Sequence, residues 1–481
     1  MSTMSSFKTF NPLKNQYNKE EYCSSSIQEI DQKIQEAREA ASILASKSML
    51  EISSLLESIK QHLIDAKAAI KKVYCEESGL TEYRFEIEFN RTLFQLNHFA
   101  EYILSDNYNS YCTTEEREQD KLLIKSKKPL GPILVMGASN FPLAYSTIGG
   151  DSVAALAARC PVIVKAHPYH AGTSLAIFEV VKKAIKASSF PSGTFTHVLD
   201  DGYDVASYLA NHEEIKGIGF TGSINGGKSM IQYANSRKIP IPVFAEMGSV
   251  NPVFFLEDIP ENDIESTATK LVHSVCNDRG QFCTKPGILF IKNTTQGRRL
   301  TDSIKGQLLK FPDGPMLHPD IKSNFEAKIT EIRNLSGEAG FHQGKCREDF
   351  FVKNSILIVD EKFFQTHSAL QKEIFGPFCT IVHYESIHSL REYLYTMEGQ
   401  LTCSIFSDNS KESTDKALLL DLAIQKAGRI ILNDVPTGVT VSKAMHHGGP
   451  YPASSDSRFT AVGSDSIKRF LRDVTIQKKC I

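Results

Sequence analysis

A cysteine in a short loop is the residue whose type and surroundings suggest covalent chemistry most directly. Cys283 stands between Gly280 and Gly287, and such a loop can leave the thiol accessible. An accessible cysteine becomes a nucleophile once its thiol has lost the proton. Because most cysteines are inert, Cys283 alone is weak evidence, and the surrounding motifs must decide.

Two other residues could assist a reaction at such a thiol. Glu246 ends an apolar run between Ala245 and Met247, where a carboxylate can act as a general base. Asn140 follows another apolar run, and a side-chain amide at a strand end can donate a hydrogen bond into a cleft. The alternatives are a surface glutamate and an asparagine in an ordinary turn.

Two segments suit a ligand that carries phosphate and sugar. Lys165 and His167 follow a third apolar run, and a lysine there can reach a ribose or a phosphate as a point charge. The glycine-rich turn 220–228 opens a predicted helix, whose first backbone N–H groups could approach a pyrophosphate. It is neither a G-x-G-x-x-G motif nor a P-loop. A solvated lysine and a plain turn are the alternatives.

The remaining motifs are the segment 372–377 and the histidine pair His446-His447. The pair suggests a metal site, but adjacent histidines rarely face the same way. No cysteine or carboxylate stands at ligand spacing from them in the sequence. We therefore expect no metal.

Hydrophobic periodicity predicts the elements that must position these residues. Short apolar runs alternate with helix-length stretches, and the runs are 133–136, 162–164, 195–199, 215–220 and 242–245. Strand and helix at this spacing predict a parallel sheet with right-handed crossovers, which binds ligands at the C-terminal ends of its strands. Several of the motifs above follow these runs, so we expect them at one edge of the sheet.

Helices are predicted ahead of that sheet, and more α/β structure is predicted after it. Apolar residues recur every three or four positions over 27–44, with Ser26 at a capping box, and again over 52–70. A break is expected at 76–79. Apolar and polar stretches alternate over 251–432, which is consistent with a second α/β domain.

The composition excludes several classes of protein. The 481 residues carry 54 basic and 56 acidic side chains, and this balance gives no electrostatic footprint for nucleic acid or anionic lipid. A hydrophobic fraction of 41% is too high for a disordered chain, and no run of about 18 apolar residues predicts a membrane span. The polar start lacks a signal-peptide core, and the ten cysteines form no C-x-x-C pair, so a reducing cytoplasm is expected.

Taken together and in this order, the motifs resemble the aldehyde dehydrogenase superfamily across almost the whole chain. The resemblance rests on Asn140, the turn 220–223, Glu246, Cys283 and the segment 373–377. Any one of these motifs could occur by chance, but five in register are very unlikely to.

Other segments resemble one branch of that family. They are 137–144, 165–168, 280–284 and 447–453. The branch holds the α-ketoglutaric semialdehyde (2,5-dioxovalerate) dehydrogenases and the NADP-dependent fatty aldehyde dehydrogenases. The segment 245–252 is closer to the first group, and 283–286 is closer to the second.

The resemblance implies NAD(P)-dependent oxidation of an aldehyde to a carboxylic acid. The favoured reaction is 2,5-dioxopentanoate to 2-oxoglutarate, and a fatty or medium-chain aldehyde is the alternative. In the family's mechanism the Cys283 thiolate attacks the aldehyde carbon, and the Asn140 amide and the Cys283 N–H stabilise the oxyanion. Hydride then leaves for the nicotinamide, and Glu246 activates the water that hydrolyses the thioester.

The resemblance also implies a set of cofactor-binding residues. They are Lys165, His167, Gly222, Ser223, Gly227, Glu373 and Phe375. Many NAD-preferring relatives have a glutamate where this chain has Pro168, so no carboxylate there would repel a 2′-phosphate. With Lys165 and His167 as nearby cations or donors, we expect NADP to be accepted and preferred, with NAD possible.

Three residues are expected to shape the substrate pocket, namely Arg279, Phe282 and His447. Asp278-Arg279 stands where the branch has small residues, and Asp434-Val435 stands where it commonly has a tryptophan. Arg279 could pair with a substrate carboxylate or simply with Asp278. His447 could line the active site or support its Gly-Pro turn.

The family architecture implies an α/β fold with a Rossmann-type cofactor domain, an α/β catalytic domain and a small bridging element. The expected divisions are 1–106 with 129–248, 249–447, and 107–128 with 448–481. A homodimer or homotetramer is expected, acting on a small aldehyde. A cysteine hydrolase would give no reason for the turn 220–228, and a silent relative would have lost Cys283 or Glu246.

Overall fold

The computed structural model describes residues 5–338, 340–408 and 413–479. The chain begins with short strands and four helices. They are β1 (Ser6–Phe7), β2 (Phe10–Asn11), β3 (Gln16–Tyr17), β4 (Tyr22–Cys23), α1 (Ile27–Ser46), α2 (Met49–Asp65), α3 (Lys67–Ser78) and α4 (Glu82–Tyr102). β1 pairs with β4, and β2 pairs with β3.

Local signals fix the ends of these helices. Ser26 and Glu29 form the expected capping box at the start of α1, with each side chain accepting from the other's backbone N–H. α3 ends at Gly79, whose φ of 64° suits glycine. The periodic stretch 52–70 is two helices rather than one, because Ala66 departs from helical geometry between α2 and α3.

The next part of the chain builds a five-stranded sheet in the order β11-β10-β7-β8-β9, and all its neighbouring strands are parallel. Its elements and those just before it are α5 (Asp106–Cys112), β5 (Thr113–Glu118), β6 (Lys121–Pro129), β7 (Ile133–Met136), α6 (Gly150–Ala157), β8 (Val162–Lys165), α7 (Ala171–Ala187), β9 (Phe195–Val198), α8 (Asp204–Asn211), β10 (Gly217–Thr221), α9 (Ile224–Ser236) and β11 (Val243–Glu246). Each of the five predicted strands is present. One hydrophobic core joins β7, β8 and β9 to α2, α4 and α7.

The second sheet has seven strands in the order β14-β15-β16-β13-β12-β17-β18, parallel except for the β14–β15 pair. Its elements are β12 (Val253–Phe255), α10 (Ile264–Cys276), β13 (Ile288–Lys292), α11 (Thr295–Lys310), α12 (Pro319–Ser336), β14 (Phe341–Gln343), β15 (Ser355–Asp360), α13 (Glu361–Thr366), β16 (Phe378–Tyr384), α14 (Arg391–Thr396), β17 (Gln400–Phe406), α15 (Thr414–Lys426) and β18 (Ala427–Leu432).

A third, antiparallel sheet joins the C-terminal part of the chain to the segment before β7. Its order is β19-β6-β5, with β19 spanning Leu471–Lys479. Seven short 3-10 helices connect the larger elements, at Pro168–His170, Ser192–Thr194, Glu261–Asp263, Asn277–Gly280, Ser368–Gln371, Ile387–Leu390 and Ser464–Phe470. The three sheets lie in the three expected parts of the chain, and the exact domain boundaries remain a prediction.

Two further expectations concern the chain as a whole. None of the helices in the described ranges combines the length and the apolar composition that a bilayer crossing requires. Nine cysteines are free, and the tenth, Cys480, lies outside the described residues.

Candidate active site

The loop that carries Cys283 is held by a buried asparagine. Asn251, which is completely buried with a φ of 54°, donates from its amide to the carbonyls of Cys283 at 2.8 Å and Lys285 at 3.0 Å. The Gln400 side chain in turn accepts from the Asn251 backbone N–H at 3.1 Å. Asn251 therefore fixes the backbone of the nucleophile loop. Sequence reasoning missed this role, because an Asn-Pro pair by itself indicates a turn.

Cys283, His447 and Glu246 form one cluster. His447 Nε2 lies 3.7 Å from Cys283 Sγ and 3.1 Å from a Glu246 carboxylate oxygen. Glu246 is the last residue of β11 and is 4% exposed, and His447 is 1% exposed. Three residues far apart in the sequence thus place a thiol, an imidazole and a carboxylate within 4.8 Å of one another.

The surroundings of Cys283 favour the protonated thiol. Burial and the neighbouring Glu246 carboxylate raise the pKa of Cys283 well above its usual value. A resting thiol needs a base in order to become a nucleophile. The carboxylate that keeps the proton on Cys283 is therefore also positioned to receive it.

The cluster overturns one premise of the expectation that no metal binds, namely that the histidines lack a cysteine or carboxylate partner. His447 does have a cysteine and a carboxylate partner, although they come from distant parts of the chain. Its neighbour His446 is not part of the cluster. Cysteine, histidine and carboxylate are types that bind zinc, and the expectation of no metal remains a prediction.

Asn140 lies beside the nucleophile loop, as expected for an oxyanion donor. It follows β7, and its side-chain amide donates to the Gln281 carbonyl at 2.7 Å. The Gln281 side chain donates to the Asp278 carbonyl at 2.8 Å, which ties the same loop to the preceding 3-10 helix. The loop after β7 and the loop before β13 therefore meet at the thiol.

A buried ion-pair network connects these two loops to α4. Arg84 pairs with Glu88 at 3.0 Å and with Asp278 at 2.6 Å. Glu88 also accepts from the backbone N–H groups of Leu143 and Ala144, both at 2.8 Å. One helix face thus holds the turn that follows Asn140 and the residue that precedes the nucleophile loop.

The network bears on the two alternatives for Arg279. Asp278 pairs with Arg84, and in the described ranges no ion pair joins Asp278 to Arg279. The Arg279 guanidinium donates to the Pro312 carbonyl, next to Gly314, and the structure does not bring it to Cys283. The pocket role of Arg279 therefore has no support in its contacts.

Aromatic residues next to Asn140 and Cys283 in the sequence pack against one another. The Phe282 ring packs edge-on against Phe141, with ring centres 5.4 Å apart, and the Tyr145 ring centre lies 5.1 Å from that of Phe141 and 6.2 Å from that of His447. The pocket roles of Phe282 and His447 stay predictions. Tyr145, which sequence reasoning did not single out, joins this aromatic group to the cluster.

Removing Arg84 is expected to destabilise the fold. An Arg84→Met variant would leave the Glu88 and Asp278 carboxylates without their buried partner, which costs about 3–5 kcal/mol. Thermal or urea unfolding checks this, with Arg38→Met as the matched control. Arg38 pairs with Glu214 at 3.5 Å on the surface, so its loss should cost about 1 kcal/mol or less. Equal losses for the two variants would contradict the account.

A cleft of about 470 Å³ opens between α9 and the turn that carries Glu373. Its lining residues are Ser223, Ile224, Asn225, Lys228, Lys328, Glu331, Ile332, Ala369, Lys372, Glu373, Ile374, Glu398 and Pro452. Ser223 is the N-cap of α9 and accepts from the Gly226 N–H at 3.2 Å. The first turn of a helix therefore faces this cleft, in the position from which helix N–H groups bind anions.

The other predicted cofactor residues lie in or near this region and differ in what they touch. The Gly222 N–H donates to the Glu246 carbonyl at 3.1 Å. A Cβ on Gly227 would lie 2.4 Å from the Met247 sulfur, so this glycine lets α9 pack on the residue after β11. Phe375 is half-buried in the turn after Glu373.

Lys165 ends β8 and His167 follows it, and both side chains are held by contacts with neighbouring residues. The Lys165 ammonium donates to the Asp200 carbonyl at 2.9 Å. Burial, followed by the neighbouring His170 and Lys165, lowers the pKa of His167 well below its usual value. His167 is therefore neutral, and its ring nitrogen accepts from the Tyr169 N–H at 3.3 Å. Lys165 can supply positive charge to a phosphate, and of the two expected roles for His167, cation or hydrogen-bond donor, the neutral ring leaves the donor.

Comparison with known proteins agrees with this geometry. Residues 1–475 match the aldehyde dehydrogenase family. The chain is 37% identical over 464 residues to the α-ketoglutaric semialdehyde dehydrogenase of Acinetobacter baylyi, covering 95% of this chain and 88% of that protein. It is 34% identical to α-ketoglutaric semialdehyde dehydrogenase 2 of Azospirillum brasilense, covering 92% and 85%.

Solved structures share the fold at lower sequence identity. A glyceraldehyde-3-phosphate dehydrogenase of Methanocaldococcus jannaschii, solved with NADP, has a TM-score of 0.83 at 16% identity and covers 100% of both chains. A betaine aldehyde dehydrogenase of Staphylococcus aureus, solved with NAD+, has a TM-score of 0.84 at 16% identity, covering 99% of this chain and 94% of that one.

Proposed function

Because the chain belongs to the aldehyde dehydrogenase family, we propose that it oxidises 2,5-dioxopentanoate to 2-oxoglutarate through a thioester on Cys283. The observation that carries the chemistry is the cluster of Cys283, His447 and Glu246. The substrate is supported by the two relatives named for α-ketoglutaric semialdehyde. The overall reaction adds the oxygen of one water to the aldehyde carbon and transfers a hydride to the nicotinamide.

In the first half of the mechanism, Cys283 attacks the aldehyde carbon. Glu246 accepts the thiol proton, since a carboxylate oxygen of Glu246 lies within 4.8 Å of the thiol in the cluster. The close approach of His447 Nε2 to Glu246 favours a proton on Nε2, which can then donate to the thiolate sulfur. The Asn140 amide and the Cys283 backbone N–H stabilise the oxyanion that forms on the substrate.

In the second half, the thioester is hydrolysed. The nicotinamide cofactor, when bound, takes up the hydride that leaves the substrate carbon. Glu246, once it has released its proton, activates a water molecule that attacks the thioester carbon. Cys283 then leaves as thiolate and is reprotonated within the cluster.

The residues around the cleft fit a dinucleotide cofactor. Ser223 and the first turn of α9 would hold the pyrophosphate, and Glu373 would accept hydrogen bonds from a ribose. We propose NADP as the preferred cofactor, because Pro168 supplies no carboxylate and Lys165 supplies a cation. The carboxylates of Asp200 and Asp201 also act electrostatically on Lys165 and offset part of its positive charge. The test therefore includes NAD as well as NADP.

Initial rates of reduced-cofactor formation test this proposal. The panel is 2,5-dioxopentanoate, succinic semialdehyde and a medium-chain aliphatic aldehyde, each with NADP and with NAD. The expected result is the highest kcat/KM with 2,5-dioxopentanoate and NADP. A higher kcat/KM with the aliphatic aldehyde would favour the fatty aldehyde alternative, which the segment 283–286 supports. Equal or better efficiency with NAD would overturn the cofactor preference.

Glu373 gives nucleotide binding a pH dependence. Burial raises the pKa of Glu373 to about 7, although Lys285 and Lys328 oppose the shift. The carboxylate that would bind a ribose is therefore ionised mainly above that pH. We expect the Kd for NADP to fall by up to about tenfold between about pH 6 and pH 8.

Two variants define the pH experiment. In Glu373→Gln the Kd should be weaker and nearly independent of pH over this range. Glu398→Gln is the matched control, since Glu398 lines the same cleft but pairs with Lys372 at 3.1 Å. A pH dependence that persists in Glu373→Gln would show that another group is responsible.

His447 is expected to raise the reactivity of Cys283. A His447→Phe variant removes the Nε2–H donor to the sulfur and to Glu246, so kcat/KM should fall by about 10²-fold. Alkylation of Cys283 by iodoacetamide without cofactor reads the nucleophile alone and should slow as well. His446→Phe is the control, because His446 stands outside the cluster. Unchanged alkylation in His447→Phe would refute this role.

A further inference from the structure

Two half-buried arginines come together beside Tyr145. Arg91 on α4 donates to the Tyr145 hydroxyl at 3.0 Å and to the Val439 carbonyl, and its guanidinium lies 5.5 Å from the centre of the Tyr145 ring. Arg429 on β18 donates to the Gly438 carbonyl at 2.9 Å. The two arginines therefore bind neighbouring carbonyls of one loop.

The charges of these two arginines are not compensated by carboxylates. In the described ranges, the partners of Arg91 and Arg429 are backbone carbonyls and a tyrosine, and neither forms an ion pair with Asp or Glu. The Nε atom of each is buried without a hydrogen-bond partner. Arg84, two turns earlier on the same face of α4, is paired with two carboxylates. Half-buried cations without a counter-charge are stabilised by an anion that binds to them.

A series of contacts connects Arg91 to the nucleophile. Tyr145, which Arg91 holds, has its ring centre 6.2 Å from that of His447. His447 Nε2 in turn lies 3.7 Å from Cys283 Sγ. The Arg429 guanidinium is within electrostatic reach of both Cys283 and Tyr145. An anion held by these arginines would therefore lie beside Tyr145, in the neighbourhood of the thiol.

We propose that Arg91 and Arg429, with the Tyr145 hydroxyl, bind the carboxylate at the far end of the substrate. A guanidinium binds a carboxylate through paired, charge-assisted hydrogen bonds. The terminal carbons of a five-carbon chain are about 5 Å apart when it is extended, which suits an aldehyde carbon at Cys283 and a carboxylate beside Tyr145. The inference rests on the proposed function and names the residues that would select a semialdehyde acid over an uncharged aldehyde.

The test compares three five-carbon aldehydes that differ in charge and in the 2-oxo group. They are pentanal, 5-oxopentanoate and 2,5-dioxopentanoate. The measured quantity is kcat/KM for each acid divided by kcat/KM for pentanal. In Arg91→Met and in Arg429→Met this ratio should fall by about tenfold to a hundredfold, mainly through KM for the acids. Arg91→Lys and Arg429→Lys, which keep the charge, should lose less.

Arg237→Met is the matched control. The Arg237 guanidinium donates to the carbonyls of Ala210, Glu213 and Ile215, so it too is held by backbone oxygens, but it lies at the end of α9. The acid-to-pentanal ratio of kcat/KM in Arg237→Met should equal that of the wild type.

Three outcomes would overturn the assignment or separate it from the proposed function. A wild-type enzyme that does not prefer 5-oxopentanoate to pentanal would overturn the carboxylate site. The role of the arginines would be overturned if the acid-to-pentanal ratio of kcat/KM were unchanged in both Arg→Met variants. It would also be overturned if kcat/KM fell equally for pentanal and for the acids. If the ratio falls as expected but the wild type does not prefer 2,5-dioxopentanoate to 5-oxopentanoate, the arginine site stands and the proposed substrate fails.

Discussion

A Cys283→Ala enzyme is expected to lose aldehyde oxidation by at least about 10⁴-fold, because the thiol is the group that forms the covalent intermediate. Glu246 and His447 would remain in place with no nucleophile to activate. Steady-state formation of reduced cofactor under saturating aldehyde measures the loss. Binding of NADP, measured separately, should be nearly unchanged, since the cleft residues are untouched.

Cys276 provides the matched control for this substitution. It is fully buried at the end of α10, and burial raises the pKa of its thiol beyond the reactive range. Cys276→Ala should keep the rate within a few-fold of wild type, with a stability loss of the size expected for a small core cavity. Residual activity of Cys283→Ala above about 1% of wild type would show that the reaction does not depend on a thioester at this residue.

A Glu246→Gln enzyme is expected to separate the two halves of the reaction. Loss of the base for water should lower the steady-state rate by about 10²- to 10⁴-fold. Loss of the carboxylate charge should also lower the pKa of Cys283, because that charge helps to raise it. The thiolate can then form by proton loss to solvent, so a burst of reduced cofactor close to one per active site should precede the slow phase.

Rapid mixing followed by absorbance resolves that burst. Alkylation of Cys283 as a function of pH gives a second reading, and its midpoint should lie at lower pH in Glu246→Gln than in wild type. A full steady-state rate, or a midpoint shifted to higher pH, would contradict the role given to Glu246.

The sequence was sufficient to predict strands and helix ends that depend on residues close together in the chain. The apolar run 133–136 is β7, with the same bounds, because four consecutive buried residues between turn signals suit a central parallel strand. Ser26 caps α1 because its hydroxyl and the Glu29 carboxylate are three residues apart. The family resemblance, rather than a strand end, is what predicted that Asn140 and Cys283 lie at one site.

Contacts between distant residues could not be predicted in the same way. Arg84 and Asp278 are 194 positions apart, and no local pattern indicates that their side chains pair. The position of Asn251 under the Cys283 loop depends on how two sheets pack. The charge of His167 depends on burial among other cationic groups, which the residue types near Lys165 do not reveal.

Trapping the acyl-enzyme shows directly whether the substrate forms a thioester with Cys283. Glu246→Gln enzyme is mixed with NADP and 2,5-dioxopentanoate, quenched in acid during the slow phase, and analysed by peptide mass spectrometry. We expect a 2-oxoglutaryl thioester on the peptide that contains Cys283, in an amount that matches the burst of reduced cofactor. An unmodified Cys283 peptide alongside a full burst, or an acyl group on another residue, would contradict it.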